Sequence, residues 1–332
     1  MMLNYWSRCA RSSRCIAIVG NGFDMAHGLK TGYNNFVNAQ NKDTFAEYKV
    51  FLEKYCGKTD GWSSFEERIN ELTFHCYECS FDDTQNYDDI LQDIKRINAL
   101  FENLHSYLAD YLIEVITKGK VTKKLSVSWA MRGNIPAISF NYTDTAELYT
   151  KKVFYVHGSL KEKEIVLGYD FRQEPCLMTA DLMYWSKCLC RERLAFSRYL
   201  KEQQLISLNE TTYRECMQDV SRMQHFKNSG RGFEEEDWAT FNHPDIIKSF
   251  YAGDPCAYSD AFTAVDLSMV REIVVLGHGL SADEHYLKDI LSRCPKLKKV
   301  VIFTYSGEKE SSLNAKKAFF QPYCKKVVTR EY

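Results

Sequence analysis

Residues 15–36, CIAIVGNGFDMAHGLKTGYNNF, decide how the rest of the chain is read. Ile16, Ala17, Ile18 and Val19 run without a polar break into Gly20-Asn21-Gly22. A continuous apolar run of this kind suits a strand buried on both faces, as a parallel sheet requires. Gly20 and Gly22 permit a sharp turn and a close backbone approach to a ligand. Exposed N–H groups at the start of a following helix would make that turn an anion site. Behind it, after Phe23, stand Asp24, His27, Thr31 and Tyr33, a polar group too dense for an ordinary first helix. The stretch reads as the floor of a nucleotide pocket.

The surrounding composition bounds what such a pocket can serve. A chain of 332 residues can bury a large core in one domain or two. Forty-three basic against 44 acidic residues give a net charge of -1, which supplies no global field for nucleic acid or an anionic membrane. Hydrophobic residues make up 45%, aromatic residues 14%, and prolines number six, the profile of a folded globule. No apolar stretch approaches the length of a membrane span. Residues 1–14, MMLNYWSRCARSSR, carry arginines with no apolar segment behind them, so they read as a tail and not as a signal peptide. Twelve cysteines without regular spacing suit reduced thiols, and the expected location is cytoplasmic.

Working outward, Phe45, Tyr48, Phe51 (or Leu52) and Tyr55 recur at helical steps, and Trp62–Glu67 has the form of a helix start capped by Ser63 or Ser64. Residues 76–89 read as an acidic surface loop. Ile90, Ile94, Ile97, Phe101, Leu104, Leu108, Tyr111 and Val115 then predict one helix of roughly 26 residues packed along a single stripe. Short apolar strands are expected at Ile135–Phe140, Val153–Val156, Ile165–Leu167, Ile273–Leu276 and Val300–Phe303, each ending in polar residues. Strands alternating with helices imply an open α/β sheet with ligands beyond the strand C-termini. The pattern lapses over about 171–263, which reads as a helical insertion, with a helical piece at Leu182–Leu205.

Four constellations could carry chemistry. The Gly20-Asn21-Gly22 turn departs from G-x-G-x-x-G, so the dehydrogenase fingerprint is missing; Asp24 behind it either caps a helix or binds ribose hydroxyls, with His27 and Thr31 beside it. Asn141 and Asp144 follow the second strand, where the pair either forms an Asx cap or orients a ribose hydroxyl or water. His157-Gly158 ends the third strand, where an imidazole suits acid–base work near neutral pH. Gly277-His278-Gly279, with Ser281 and Asp283 behind, forms a second turn able to contact a nucleotide; Asp283 either binds a sugar or favours the helix dipole. His75-Cys76-x-x-Cys79 and Cys188-x-Cys190 make an incomplete zinc set, and no metal is expected. There is no serine elbow or P-loop lysine.

GNGFDMAHGLKTGYNNF, WSSFEERI, SFNYTD, YVHG and VLGHGLSADEHYL, in this order from Ile16 to about Tyr305, resemble the bacteriophage abortive-infection family AbiH. That family is similar in turn to sirtuin-like NAD-binding domains. The resemblance implies a Rossmann-like, mostly parallel open sheet of the sirtuin/DHS type, one domain over 15–332 with the helical insertion, and a part in antiphage defence. It places the ribose-directed roles on Asn141 and His157, with NAD as ligand or substrate. Phe23-Asp24 stands where sirtuins carry small residues and Ser, and the zinc module of deacylating sirtuins is not evident. The activity implied is hydrolysis of the nicotinamide–ribose bond of NAD(P), with Asp24 or Asp144 as the stabilising carboxylate. A phage-derived trigger would be a partner, and self-association is left open. The alternatives are a non-catalytic nucleotide sensor that uses the insertion as an interaction surface, and a nuclease with Asp24, Asp144 and Asp170 on a metal.

Overall fold

The computed structural model describes residues 14–39, 46–56, 87–162, 164–167, 196, 199, 210–228, 234–252, 266–280 and 283–332. The opening apolar run forms β1 (Cys15–Val19), buried at every position. It lies inside a six-stranded sheet with β2 (Ala137–Ser139), β3 (Val153–Tyr155), β6 (Glu272–Leu276), β7 (Lys299–Thr304) and β8 (Lys326–Glu331). The spatial order is β3-β2-β1-β6-β7-β8, and every pairing is parallel. Taken in chain order this is third, second, first, fourth, fifth, sixth, the doubly wound arrangement of Rossmann-like sheets. β1 pairs on one side with β2, from Ala17 opposite Ala137, and on the other with β6, from Cys15 opposite Glu272. Ile16, Ile18 and Val19 are at most 1% exposed, and burying each contributes on the order of 2 kcal/mol.

Strand alternation sorts the core into two layers. Ile16, Ile18, Ile138, Ile273, Val275, Val300 and Ile302 face one side, where they pack with Leu287 and Ile290 of α8 (Glu284–Ser292) and Phe320 of α9 (Glu310–Phe320). Cys15, Ala17, Val19, Val274, Leu276, Val301 and Phe303 face the other, against Phe23 of α1 (Asn21–Ala26) and Val127 and Ala130 of α5 (Leu125–Ala130). The two crossover helices after β6 and β7 therefore share one face.

Two expectations need correction. Ile165 belongs to a short hairpin, not to the parallel sheet: β4 (Gly158–Ser159) pairs antiparallel with β5 (Glu164–Ile165). The helix predicted from Ile90 runs longer, as α4 (Tyr87–Lys118), so residues 87–89 of the expected loop are its first turn. Asp88 and Asp89 there favour the helix dipole. The periodicity at 45–55 appears as α3 (Ala46–Cys56), and α2 (Tyr33–Ala39) follows the opening turn. Trp62–Glu67, the two cysteine motifs and Asp170 lie outside the described residues.

The chain divides into two compact units. The first comprises Met1–Ala39, Leu108–Ile165 and Ala261–Tyr332 and holds the sheet. The second comprises Gln40–Tyr107 and Val166–Asp260. In the second, α6 (Glu210–Asn228) and α7 (Pro244–Ala252) bury Cys216, Val220, Ile247 and Phe250 together. The fully buried Asp219 carboxylate accepts the N–H groups of Asn242 and His243 just before α7, at 3.0 and 2.7 Å. Asp93 of α4 pairs with Lys54 of α3. Among the described residues no helix is long and apolar enough to cross a membrane.

Candidate functional site

The strand order reverses between β1 and β6, so their carboxyl ends frame the place where open α/β sheets bind ligands. Here the two strand ends also grip each other. Gly20 N–H donates to the Leu276 carbonyl at 2.9 Å and Gly22 N–H to the Gly277 carbonyl at 2.8 Å. Gly277 has φ +63°, and a Cβ on it would stand 2.0 Å from Phe23 N and 2.3 Å from Gly22 C. A Cβ on Gly20 would stand 2.6 Å from His278 Cα. These glycines are required by chain-to-chain contact, before any ligand is considered. Phe23 N–H in turn donates to the Gly20 carbonyl at 2.9 Å. With the amides of 20, 22 and 23 bonded within the protein, the expected phosphate cradle is not offered there. Gly279 differs, with open space around its would-be side chain.

The polar residues behind the turn are tied just as closely. Thr31 Oγ1 donates to Asn21 Oδ1 at 2.5 Å, and Asn21 Nδ2 donates to the Thr31 carbonyl at 3.1 Å. His27 Nδ1 meets the Phe23 carbonyl at 2.7 Å, and Nε2 meets the Tyr149 hydroxyl at 2.6 Å. That hydroxyl accepts the Lys124 N–H at 2.6 Å. For a neutral ring the consistent proton arrangement has His27 Nδ1–H donating to the Phe23 carbonyl and the Tyr149 O–H donating to Nε2. Burial lowers the His27 pKa and favours this neutral ring. Asn21, His27 and Thr31 thus fasten α1 and its following loop in place.

Asp24 is different. It is 1% exposed in the first turn of α1, and its Oδ2 accepts the Thr143 hydroxyl at 2.7 Å. Thr145 stands 3.2 Å from Thr143 through their hydroxyl oxygens. Asp24 Oδ1, and both polar atoms of the Asn141 amide, are buried without a hydrogen-bond partner. Burial pushes the Asp24 pKa up to about 6, against the lowering effect of Thr143, Thr145 and the nearby Asn141; Asp144 adds to the rise. Asn141 acts on Asp24 by proximity, since its amide meets no partner at bonding geometry. Asp144 itself is exposed; it takes the N-cap position of a 3-10 turn (Thr145–Leu148) through its carbonyl, with no side-chain cap.

On the opposite face a second group assembles. His157, between β3 and β4, places Nε2 2.9 Å from Asp283 Oδ1. His278 Nε2 stands 3.4 Å from Asp283 Oδ2, while its Nδ1 accepts the Leu280 N–H at 3.0 Å. One carboxylate therefore bridges two imidazoles, in side chains no more than 9% exposed. The Phe140 ring lies edge-on to both, with centroids 5.6 Å from His157 and 4.5 Å from His278. Leu280 keeps φ +74°, a strained region for a branched side chain, and its side chain is buried in the core. Asp283 is the N-cap residue of α8, the helix-dipole position that one of its two expected roles names, and its carboxylate also orients the two histidines.

So the structure brings Asp24 together with Asn141, and His157 together with His278 and Asp283. It directs Asn21, His27 and Thr31 elsewhere. The sequence reading missed Thr143, Thr145 and Tyr149. The two threonines were within reach, since they flank Asp144 directly after the strand-end asparagine. Tyr149 left no local signal. Among the described residues no group of three His, Cys, Asp or Glu is arranged to hold a metal ion.

A parallel sheet in this strand order, with carboxylates, an asparagine and histidines gathered at its switch point, defines an α/β protein of the Rossmann-like class with a polar carboxyl edge. The family described as bacteriophage abortive infection AbiH matches residues 16–305. The chain belongs to that family. No curated protein and no solved structure matches it.

Proposed function

We propose that this AbiH-family chain acts in abortive infection by binding NAD(P) at the carboxyl edge of the sheet and hydrolysing its nicotinamide–ribose bond. The observation that carries the reading is the set of orphaned polar atoms, Asp24 Oδ1 and the Asn141 amide, buried at the switch point. Buried polar groups are rarely left unpaired without a functional reason. Ribose hydroxyls supply both donors and acceptors, which suits a carboxylate beside an amide. The likeness of the strand-end Asn141 and His157 to sirtuin-like NAD sites supports the same ligand. Both orphaned groups are covered in this state, so binding has to uncover them, an induced fit. With the first turn's amides occupied, the phosphates fall to the open side of Gly279.

In the reaction, His157 removes a proton from water, its ring oriented by the Asp283 carboxylate. The water oxygen bonds to the ribose anomeric carbon, and neutral nicotinamide leaves with the electrons of the broken bond. The Asp24 carboxylate stabilises the oxocarbenium-like transition state. The test is nicotinamide release from NAD and NADP by purified protein, with and without phage lysate as trigger. Wild type should consume the dinucleotide, and His157→Ala should fall by about 100-fold or more. Binding without consumption in every condition ends the hydrolase reading.

A further inference from the structure

Because α8 and α9 both pack on one face of the sheet, no helix after β6 or β7 covers the other face of β6–β8 among the described residues. A cavity of about 690 Å³ lies there, within the range of small-ligand sites. Its floor is apolar, made by Val274, Val301 and Phe303. Its walls carry Arg14, Arg132, Arg271, Lys299 and Arg330. The backbone fixes this clustering: Arg14 and Arg271 immediately precede neighbouring strands, and the Arg14 carbonyl accepts the Arg271 N–H at 2.8 Å. Lys299 opens β7, while Arg330 stands opposite Phe303 on β8. The lining has a single carboxylate, Glu272, which pairs with Lys299 at 3.3 Å. The Arg271 Nε is buried with no partner. Trp129, 59% exposed, stands on the same wall with the Arg132 guanidinium 5.5 Å from its ring centroid.

Five cations around one compensated carboxylate repel each other unless an anion joins them. Guanidinium groups favour phosphate through paired N–H donors. An accessible indole beside a guanidinium offers a stacking surface for a flat ring. We propose that this cavity binds a mononucleotide-class ligand, phosphates on the arginines and base against Trp129, at a site separate from the carboxyl edge. Its concave shape and its apolar floor favour a small ligand over nucleic acid, which would need a long basic stripe.

The test is titration of the full chain with ADP, inorganic pyrophosphate, adenosine and a single-stranded DNA 12-mer. ADP should bind more tightly than pyrophosphate or adenosine, since each supplies only half of the contacts. Arg132→Gln/Arg330→Gln, at two exposed positions that should not disturb folding, should weaken ADP about tenfold or more, the scale of a lost charge-assisted hydrogen bond. Arg271→Gln should weaken it likewise, and Trp129→Ala several-fold. Asn141→Ala should retain this binding whether or not the carboxyl edge cleaves NAD, which separates this inference from the hydrolase reading. ADP affinity unchanged in the double variant, absent in wild type, or lost only in Asn141→Ala overturns the proposal. So does a clear preference for the 12-mer.

Discussion

His27, at the end of the helix that follows β1, and His157, two residues after β3, are both buried, yet they belong to different kinds of region. His27 gives its two nitrogens to a carbonyl and a tyrosine hydroxyl, which hold a neutral ring and stitch α1 to residues 124 and 149. His157 meets a carboxylate that holds a second histidine as well. The same contrast separates Asn21, bonded twice to Thr31, from Asn141, whose amide has no partner. The turn after β1 is a saturated clamp, while the ends of β2 and β3 and the turn after β6 keep unsatisfied or carboxylate-directed groups. Polar density in a sequence therefore marks where polar atoms are needed, and satisfaction in the fold decides whether they serve the chain or a ligand.

The clamp can be broken most severely at its glycines. Gly277→Ala would drive a Cβ to 2.0 Å from Phe23 N at φ +63°, whereas Gly279→Ala meets nothing within 4 Å. The first should cost more than about 4 kcal/mol, enough to empty the folded population of many domains, since the opposing atoms are backbone and cannot step aside. The second should cost less than about 1 kcal/mol. Urea unfolding of the two variants, side by side with soluble yield, measures the difference. Equal stabilities would mean that the two strand ends do not grip each other.

Asp24 sits at the seam of the comparison, half satisfied by Thr143. Its carboxyl is raised from 3.8 to about 6 by burial. A raised folded pKa means that this group's contribution is fully present below the unfolded value of 3.8 and is lost as pH rises through about 6. The ionisation penalty above that range is about 3 kcal/mol. Asp24→Asn, which cannot ionise, should therefore unfold at higher urea than wild type at pH 8 and show little advantage at pH 4. A gain of the same size at both pH values would place its origin outside the carboxyl.

His27→Ala should remove two hydrogen bonds and leave the Phe23 carbonyl and Tyr149 hydroxyl short of a partner, at a cost of about 2 kcal/mol. The lowered pKa gives the sign with pH: the wild-type ring contributes above its unfolded value of 6.5 and loses that contribution as pH falls below it. The variant's deficit should thus shrink in acid. Any dinucleotide consumption, measured per folded molecule, should stay within a few-fold of wild type. Loss of turnover at intact stability would move His27 into the same region as His157.

The sheet was legible because its strands β1, β2, β6 and β7 are short apolar runs between polar ends, a pattern set by burial on both faces. β8 was not, since KVVTRE holds only two apolar residues among polar ones, and its positions are only partly buried or exposed at the sheet's edge. The Ile165 strand misled because its apolar run is too short to show which sheet it joins. At the site, Asn141 and His157 could be picked out from their places at strand ends. The roles of Asn21, His27 and Thr31 could not, because they depend on partners as distant in sequence as Tyr149, and the bridging of His157 to His278 depends on Asp283, 126 residues from His157. Local patterning carries burial, and long-range pairing carries the assignment of hydrogen bonds.

Asn141 gives the finest test of that distinction. A buried asparagine with both amide atoms paired costs several kcal/mol when truncated, because its partners are stranded. Here neither atom has a partner in the free chain, although the residue is 5% exposed. Truncation removes a desolvated dipole that returns nothing to the fold, and that relief offsets the small cavity left behind. Asn141→Ala should therefore change stability by less than about 1 kcal/mol, while thermal stabilisation by added NAD, clear in wild type, disappears. A large loss of stability with NAD stabilisation intact would show that the amide is paired within the chain. Asn141 would then belong with Asn21 as part of the clamp, and the ligand-facing region would contract to Asp24 and the histidine group.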